Sequence, residues 1–106
     1  MNRQLALLVM SAAVCAGSPA LAADAAAAQA LAKKSDCMKC HSVSAQKEGP
    51  SFKATAAKFK GQADAEAKLV AHLTTSPKMK SGEAHPDVKS KDAKEIANLA
   101  QWILAQ

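Results

Sequence analysis

Apolar residues recur at helical rather than strand spacing along this chain, and the clearest stripe is the last one. Ile96, Leu99, Ala100, Ile103 and Leu104 follow the i, i+3, i+4, i+7, i+8 order of a helix with one buried face. Trp102 falls on the flank of that stripe, and Ser90 or Asp92 is placed to cap the helix. A second helix is expected from Asp64 to about Thr75, with Leu69, Val70 and Leu73 on one side and Pro77 as its stop. Before it, Phe52, Ala56 and Phe59 share helical spacing in a short segment, Phe52 to Lys60, between the Gly49-Pro50 break and Gly61. Earlier still, Asp24 can cap an alanine-rich stretch running to about Lys34, in which Leu31 is the only large apolar side chain. The span from Ser76 to Lys89 holds Pro77, Gly82 and Pro86 and reads as an irregular loop. No run alternates as a half-buried strand would, nothing repeats, and no linker divides the chain. The pattern predicts one all-α domain of three to four helices.

The first 22 residues belong to a different pattern. Arg3 precedes an apolar run from Leu5 to Val14, and Ala20-Leu21-Ala22 has the small-x-small form of a secretory cleavage site. The run is about half of the ~20 residues that a bilayer span needs, so residues 1–22 are expected to be a cleaved signal peptide rather than an anchor. Cys15 goes with the leader, because the Val14 before it does not suit lipid attachment. Residues 23–106 then form the domain, and the protein is expected in the periplasm, with no membrane span in the mature chain.

Composition sharpens the picture in two ways. The only large aromatic side chains are Phe52, Phe59 and Trp102, and alanine supplies much of the apolar total. In so small a domain such a core rarely supplies more than about 3–5 kcal/mol, and a disulfide, metal or cofactor is needed to complete it. The mature chain also carries 13 lysines against nine acids and no arginine. That balance lacks the Arg clusters and interleaved aromatics of a nucleic-acid groove, so the lysines read as a solvated face or as a docking face for an acidic partner.

The chemistry is concentrated in Cys37-Met38-Lys39-Cys40-His41. Two thiols one turn apart can each add across a haem vinyl group while the following imidazole meets the iron, which makes C-x-x-C-H a haem c attachment signal. Three other uses of the thiols remain open from the residues alone. Zinc could take Cys37, Cys40 and two of His41, His72 and His85, but the histidines lack compact finger spacing. A thioredoxin-type redox pair would want a β-α-β surround that this chain does not offer. A bare structural disulfide is the third.

With these residues in view, the chain resembles the small monohaem class I c-type cytochromes of the bacterial periplasm, over essentially all of residues 23–106. Gly49-Pro50-Ser51-Phe52-Lys53 followed by Ala56-Ala57-Lys58-Phe59 is similar to that family's G-P-x-[FY]-K-x-x-A-x-[KR]-[FY] segment, and Trp102-Ile103-Leu104 to its terminal W-[VI]-L. The resemblance implies helices wrapped around one haem held covalently by Cys37 and Cys40, with first and last helices crossing. It also implies His41 as proximal ligand and the Pro50 carbonyl as acceptor from the imidazole nitrogen not bound to iron. The chain departs from the family at the sixth ligand, where members carry Met-Pro and this sequence has His85-Pro86, 17 residues before Trp102. Met79 lies 23 residues before Trp102. His85 is favoured over Met79, with an open or weakly ligated iron as a third possibility. Read without a haem, His85 would be a solvated loop residue, Met79 an exposed spacer between two lysines, and His72 a surface or border residue of its helix.

Either ligand set would fill both faces of the iron, and the chain offers no nucleophile–base pair or carboxylate pair arranged for turnover. The expected function is outer-sphere electron transfer between a redox donor and acceptor by a monomer, not enzymatic catalysis. Lys39, Lys47, Lys53, Lys58 and Lys60, clustered around the attachment motif, would form any docking face. The competing class is a haem-based protein that binds small diatomic gases, credible if the distal ligand is displaceable. Carbon monoxide binding to the reduced protein separates the two.

Overall fold

A computed structural model of the protein describes residues 22–106. The expected leader, apart from Ala22, lies outside the described residues, and Cys15 with it. Four helices follow in order: α1, Ala25–Lys34; α2, Phe52–Phe59; α3, Ala65–Thr74; and α4, Ala93–Leu104. A single 3-10 turn spans Cys37–Lys39. Among the described residues the only β pairing is one antiparallel bridge between Lys78 and Ala84, so the architecture is all-α as the periodicity predicts. No helix among these residues is long and apolar enough to cross a membrane.

The last helix is the organising element because its stripe is the widest. Ile96, Leu99, Ala100, Trp102 and Ile103 are all buried, Leu99 and Ala100 completely, and α1, α2 and α3 each pack against α4. Asp92 starts the helix by accepting from the Lys94 and Glu95 amides at 2.8 and 3.4 Å. Ser90 reinforces the start by donating to the Glu95 carboxylate at 2.7 Å. Both candidate caps therefore contribute. Trp102 keeps its expected place on the flank of the stripe, and that flank is covered. It is buried, its indole edge-on to Phe52 with ring centroids 5.5 Å apart, because α2 covers the side of α4 that the stripe alone leaves open.

Small residues set the closest helix contact. Ala28 and Ala32 of α1 are essentially inaccessible, and without larger side chains the α1 backbone can lie close to α4. Asp24 seals the crossing twice. Its carboxylate accepts from the Ala27 amide at 3.0 Å and so caps α1; its backbone exchanges hydrogen bonds with the Asn98 amide, Asp24 N donating to Oδ1 at 2.8 Å and Nδ2 donating to the Asp24 carbonyl at 2.9 Å. Asp64 occupies the N-cap position of α3 but makes no capping hydrogen bond.

The expected irregular loop is irregular in dihedral angles and regular in its closure. Ser76, with φ 46°, leaves α3 in the left-handed region and donates to one oxygen of Asp87 from both its amide, at 2.9 Å, and its hydroxyl, at 2.8 Å. Inside that ring the His85 amide donates to the Pro77 carbonyl and the Met79 amide to Glu83, each at 2.8 Å. The Val88 amide donates to the Leu73 carbonyl at 2.9 Å, and the Lys89 amide to the Ser35 hydroxyl at 2.9 Å. The C-terminal end of the segment is thus bonded both to α3 and to the turn after α1.

Candidate functional site

The attachment motif is shaped by the way α1 ends. Asp36 takes a left-handed conformation, φ 60°, which aspartate tolerates better than most residues, and the chain then tightens into the Cys37–Lys39 turn. The Cys37 carbonyl accepts from the amides of both Cys40, at 3.2 Å, and His41, at 2.9 Å. This places both thiols and the imidazole on one turn. The two cysteines are free and half-buried. Burial pushes the Cys37 thiol above its ordinary range, and the Glu48 carboxylate, 3.4 Å from Cys40 Sγ, pushes Cys40 up as well. Both are held as thiols at neutral pH.

His41 is fixed from three sides. Its Nδ1 lies 2.7 Å from the Pro50 carbonyl oxygen. A proline carbonyl can only accept, so Nδ1 carries the proton and the lone pair resides on Nε2, free for a metal. The Phe52 ring stacks on the imidazole at 5.5 Å between centroids and 23° between planes. On the backbone side the ring lies against Gly49, where a Cβ would come within 2.7 Å of Nδ1 and closer still to Cε1. Hydrogen bonds from the Gly49 amide to the Cys40 carbonyl at 2.7 Å, from Phe52 to Ser42 at 2.9 Å and from Lys53 to Val43 at 3.1 Å hold the two sides of this loop together.

Across from this ring sits His85, its centroid 6.2 Å from that of His41. A metal–imidazole bond is about 2.0–2.1 Å long, so two imidazoles on opposite sides of one metal have centroids about 6 Å apart. His85 Nδ1 is a buried side-chain nitrogen with no hydrogen-bond partner, a costly arrangement for a polar group unless a ligand engages the ring. The free thiols, the fixed His41 tautomer and the His85 spacing all suit a covalently attached haem. Among the described residues no group of three or more His, Cys, Asp or Glu side chains converges closely enough to hold a metal ion unaided, so the zinc alternative has no site there.

Of the residues singled out by sequence, Cys37, Cys40, His41 and Pro50 are brought together, and His85 faces His41. Met79 stands apart at the tip of the loop, 37% exposed. His72 is exposed overall, as expected of a border residue, yet its ring packs on His85 with centroids 4.4 Å apart. Partial burial, with the His85 and His41 imidazoles nearby, holds His72 below the ordinary histidine range. Sequence reasoning missed this contact, the Glu48–Cys40 contact and the steric role of Gly49. Only Gly49 had a signal, its place in the Gly-Pro segment.

Residues 25–106 match the family model described as cytochrome c. The chain is 33% identical over 78 residues to cytochrome c-551 of Pseudomonas aeruginosa, covering 74% of this chain and 75% of that protein. It is 40% identical over 75 residues to cytochrome c-551 of Allochromatium vinosum, covering 70% and 80%. Among solved structures it is similar to the class 1 cytochrome MtoD of Sideroxydans lithotrophicus ES-1, with 44% identity and a TM-score of 0.73 over 79% of this chain and 97% of that one. Cytochrome c552 of Nitrosomonas europaea matches at 31% identity and TM-score 0.61, over 72% and 95%.

Proposed function

The chain belongs to the cytochrome c family as a class I monohaem electron-transfer protein, and we propose that it is an exported, periplasmic carrier whose iron is held between His41 and His85. The observation that carries this reading is the facing pair of imidazoles, 6.2 Å apart, one with its tautomer set by Pro50 and the other with a buried unpartnered nitrogen. Residues 1–22 supply the export signal. Bound haem supplies an iron centre that cycles between ferric and ferrous states, one electron at a time.

The protein's part is to hold that centre still. Cys37 and Cys40, free in this structure, would anchor the macrocycle by thioether bonds. Pro50 keeps His41 in one tautomer and raises its basicity as a ligand. The hydrogen-bonded loop from Ser76 to Val88, tied to α3 at Leu73, brings His85 across from His41. With His41 and His85 both as ligands the potential would lie below that of a His/Met site, because the thioether is the weaker donor and raises it. Lys39, Lys47, Lys53, Lys58 and Lys60 are exposed, and of these only Lys39 pairs with a carboxylate, Asp36, among the described residues. These lysines form the docking face for acidic donor and acceptor proteins, so the association rate falls as ionic strength rises; a rate insensitive to salt would remove this part of the reading.

Low-temperature electron paramagnetic resonance of the ferric protein, with far-red absorption, tests the ligand set in wild type, His85→Ala and Met79→Ala. The expected result is a low-spin bis-imidazole signal that disappears in His85→Ala and survives in Met79→Ala, without a methionine-to-iron charge-transfer band. A charge-transfer band that disappears in Met79→Ala would overturn it in favour of a higher-potential His/Met carrier.

A further inference from the structure

We propose that His72 is a positioning residue for the distal imidazole: packed on His85 from α3, it fixes the plane in which that ring meets the iron. The proposal rests on the reading of His85 as iron ligand. The two ligands are built differently. His41 has a hydrogen bond to Pro50, a stacked Phe52 and the Gly49 backbone to hold its ring. His85 comes from a loop whose hydrogen bonds, His85 N to Pro77 O and Val88 N to Leu73 O, fix only its backbone. The χ2 torsion of histidine has a broad, roughly two-fold profile, so a ring without a hydrogen bond of its own takes its orientation from what it touches. His85 Nδ1 has no such bond.

His72 supplies the wall. Its ring stands 4.4 Å from that of His85, centroid to centroid, at 55° between planes, closer than the Phe52 contact that orients His41. The spacing is set by backbone rather than by chance proximity. Leu69 and Leu73, on the same helix, are buried in the core, and the Leu73 carbonyl, next in the chain to His72, receives the Val88 amide from the ligand loop. Helix and loop are therefore registered beside the point where the two rings meet. A fixed ring plane would keep the orientation of the ligand the same in both oxidation states, so that little would have to rearrange when an electron passes.

The angle between two axial imidazole planes sets the g values of a low-spin ferric iron, which makes resonance spectra of the holoprotein the direct test. His72→Phe keeps a flat ring on α3, whereas His72→Ala removes the wall at an exposed helical site that accepts alanine. The expected result is wild-type g values in His72→Phe and, in His72→Ala, a low-field g signal moved or broadened by more than its wild-type linewidth, with bis-imidazole ligation kept. Unmoved g values in His72→Ala, or equal changes in both variants, overturn the proposal alone. A wild-type spectrum without a bis-imidazole signal, or one lost in His72→Ala and kept in His85→Ala, overturns the His85 reading and this proposal with it.

Discussion

Gly49 is the residue on which the proximal ligand depends most tightly. A methyl group there would sit inside the contact distance of the His41 ring, and the ring cannot retreat while Pro50 and Phe52 hold it. Gly49→Ala is expected to destabilise the holoprotein by about 1–3 kcal/mol, the usual cost of overpacking, in a urea titration. A second single-residue effect lies at Asp36, which bonds Lys89 at 3.0 Å and Lys39 at 3.5 Å. The Lys89 hydrogen bond, with both lysine charges, holds its carboxyl below the ordinary carboxylate range. A lowered folded-state value means that the pair stabilises the fold above the unfolded value of about 3.9 and ceases to as pH falls through the folded one. Asparagine tolerates the same left-handed backbone, so Asp36→Asn isolates the charge. The wild type should have the higher denaturation midpoint at about pH 6, and the gap should close by about pH 2.

At the scale of elements, α4 was legible because its stripe repeats through three turns and its caps are local. The C-x-x-C-H turn was legible for the same reason, its chemistry lying within five consecutive residues. The cover over Trp102 was not legible, because a helical wheel gives the direction of burial but not which neighbour covers the flank; α2 does so through Phe52. The His72–His85 contact was not readable at all. It needs Asp87 to close the loop on Ser76 and Val88 to bond Leu73, and neither bond has a sequence period. The crossing of α1 on α4 gives a test at this scale. Asn98→Ala removes both hydrogen bonds to the Asp24 backbone while leaving the Asp24 cap on α1. At about 0.5–1.5 kcal/mol for each bond, the loss should be about 1–3 kcal/mol in a thermal melt, with the visible haem spectrum unchanged.

The whole molecule has little core without its cofactor. Of the eleven buried apolar side chains among the described residues, three are alanines, and only Phe52 and Trp102 supply large rings. A covalently held haem adds the apolar surface that these side chains lack, so the doubly substituted Cys37→Ala, Cys40→Ala chain should lose most of its far-ultraviolet helical signal. Full helicity in that variant would show that the side chains suffice. The Asp24–Asn98 clasp carries a different consequence, one of timing. Chains emerge from the ribosome N-terminal end first, and α1 finds the helix it packs on only after residues 93–104 have followed it. Until then the turn between them, with both thiols, belongs to no finished structure. A chain whose last helix has not yet docked therefore leaves Cys37 and Cys40 open to approach and modification, before α4 closes the fold around what has been attached.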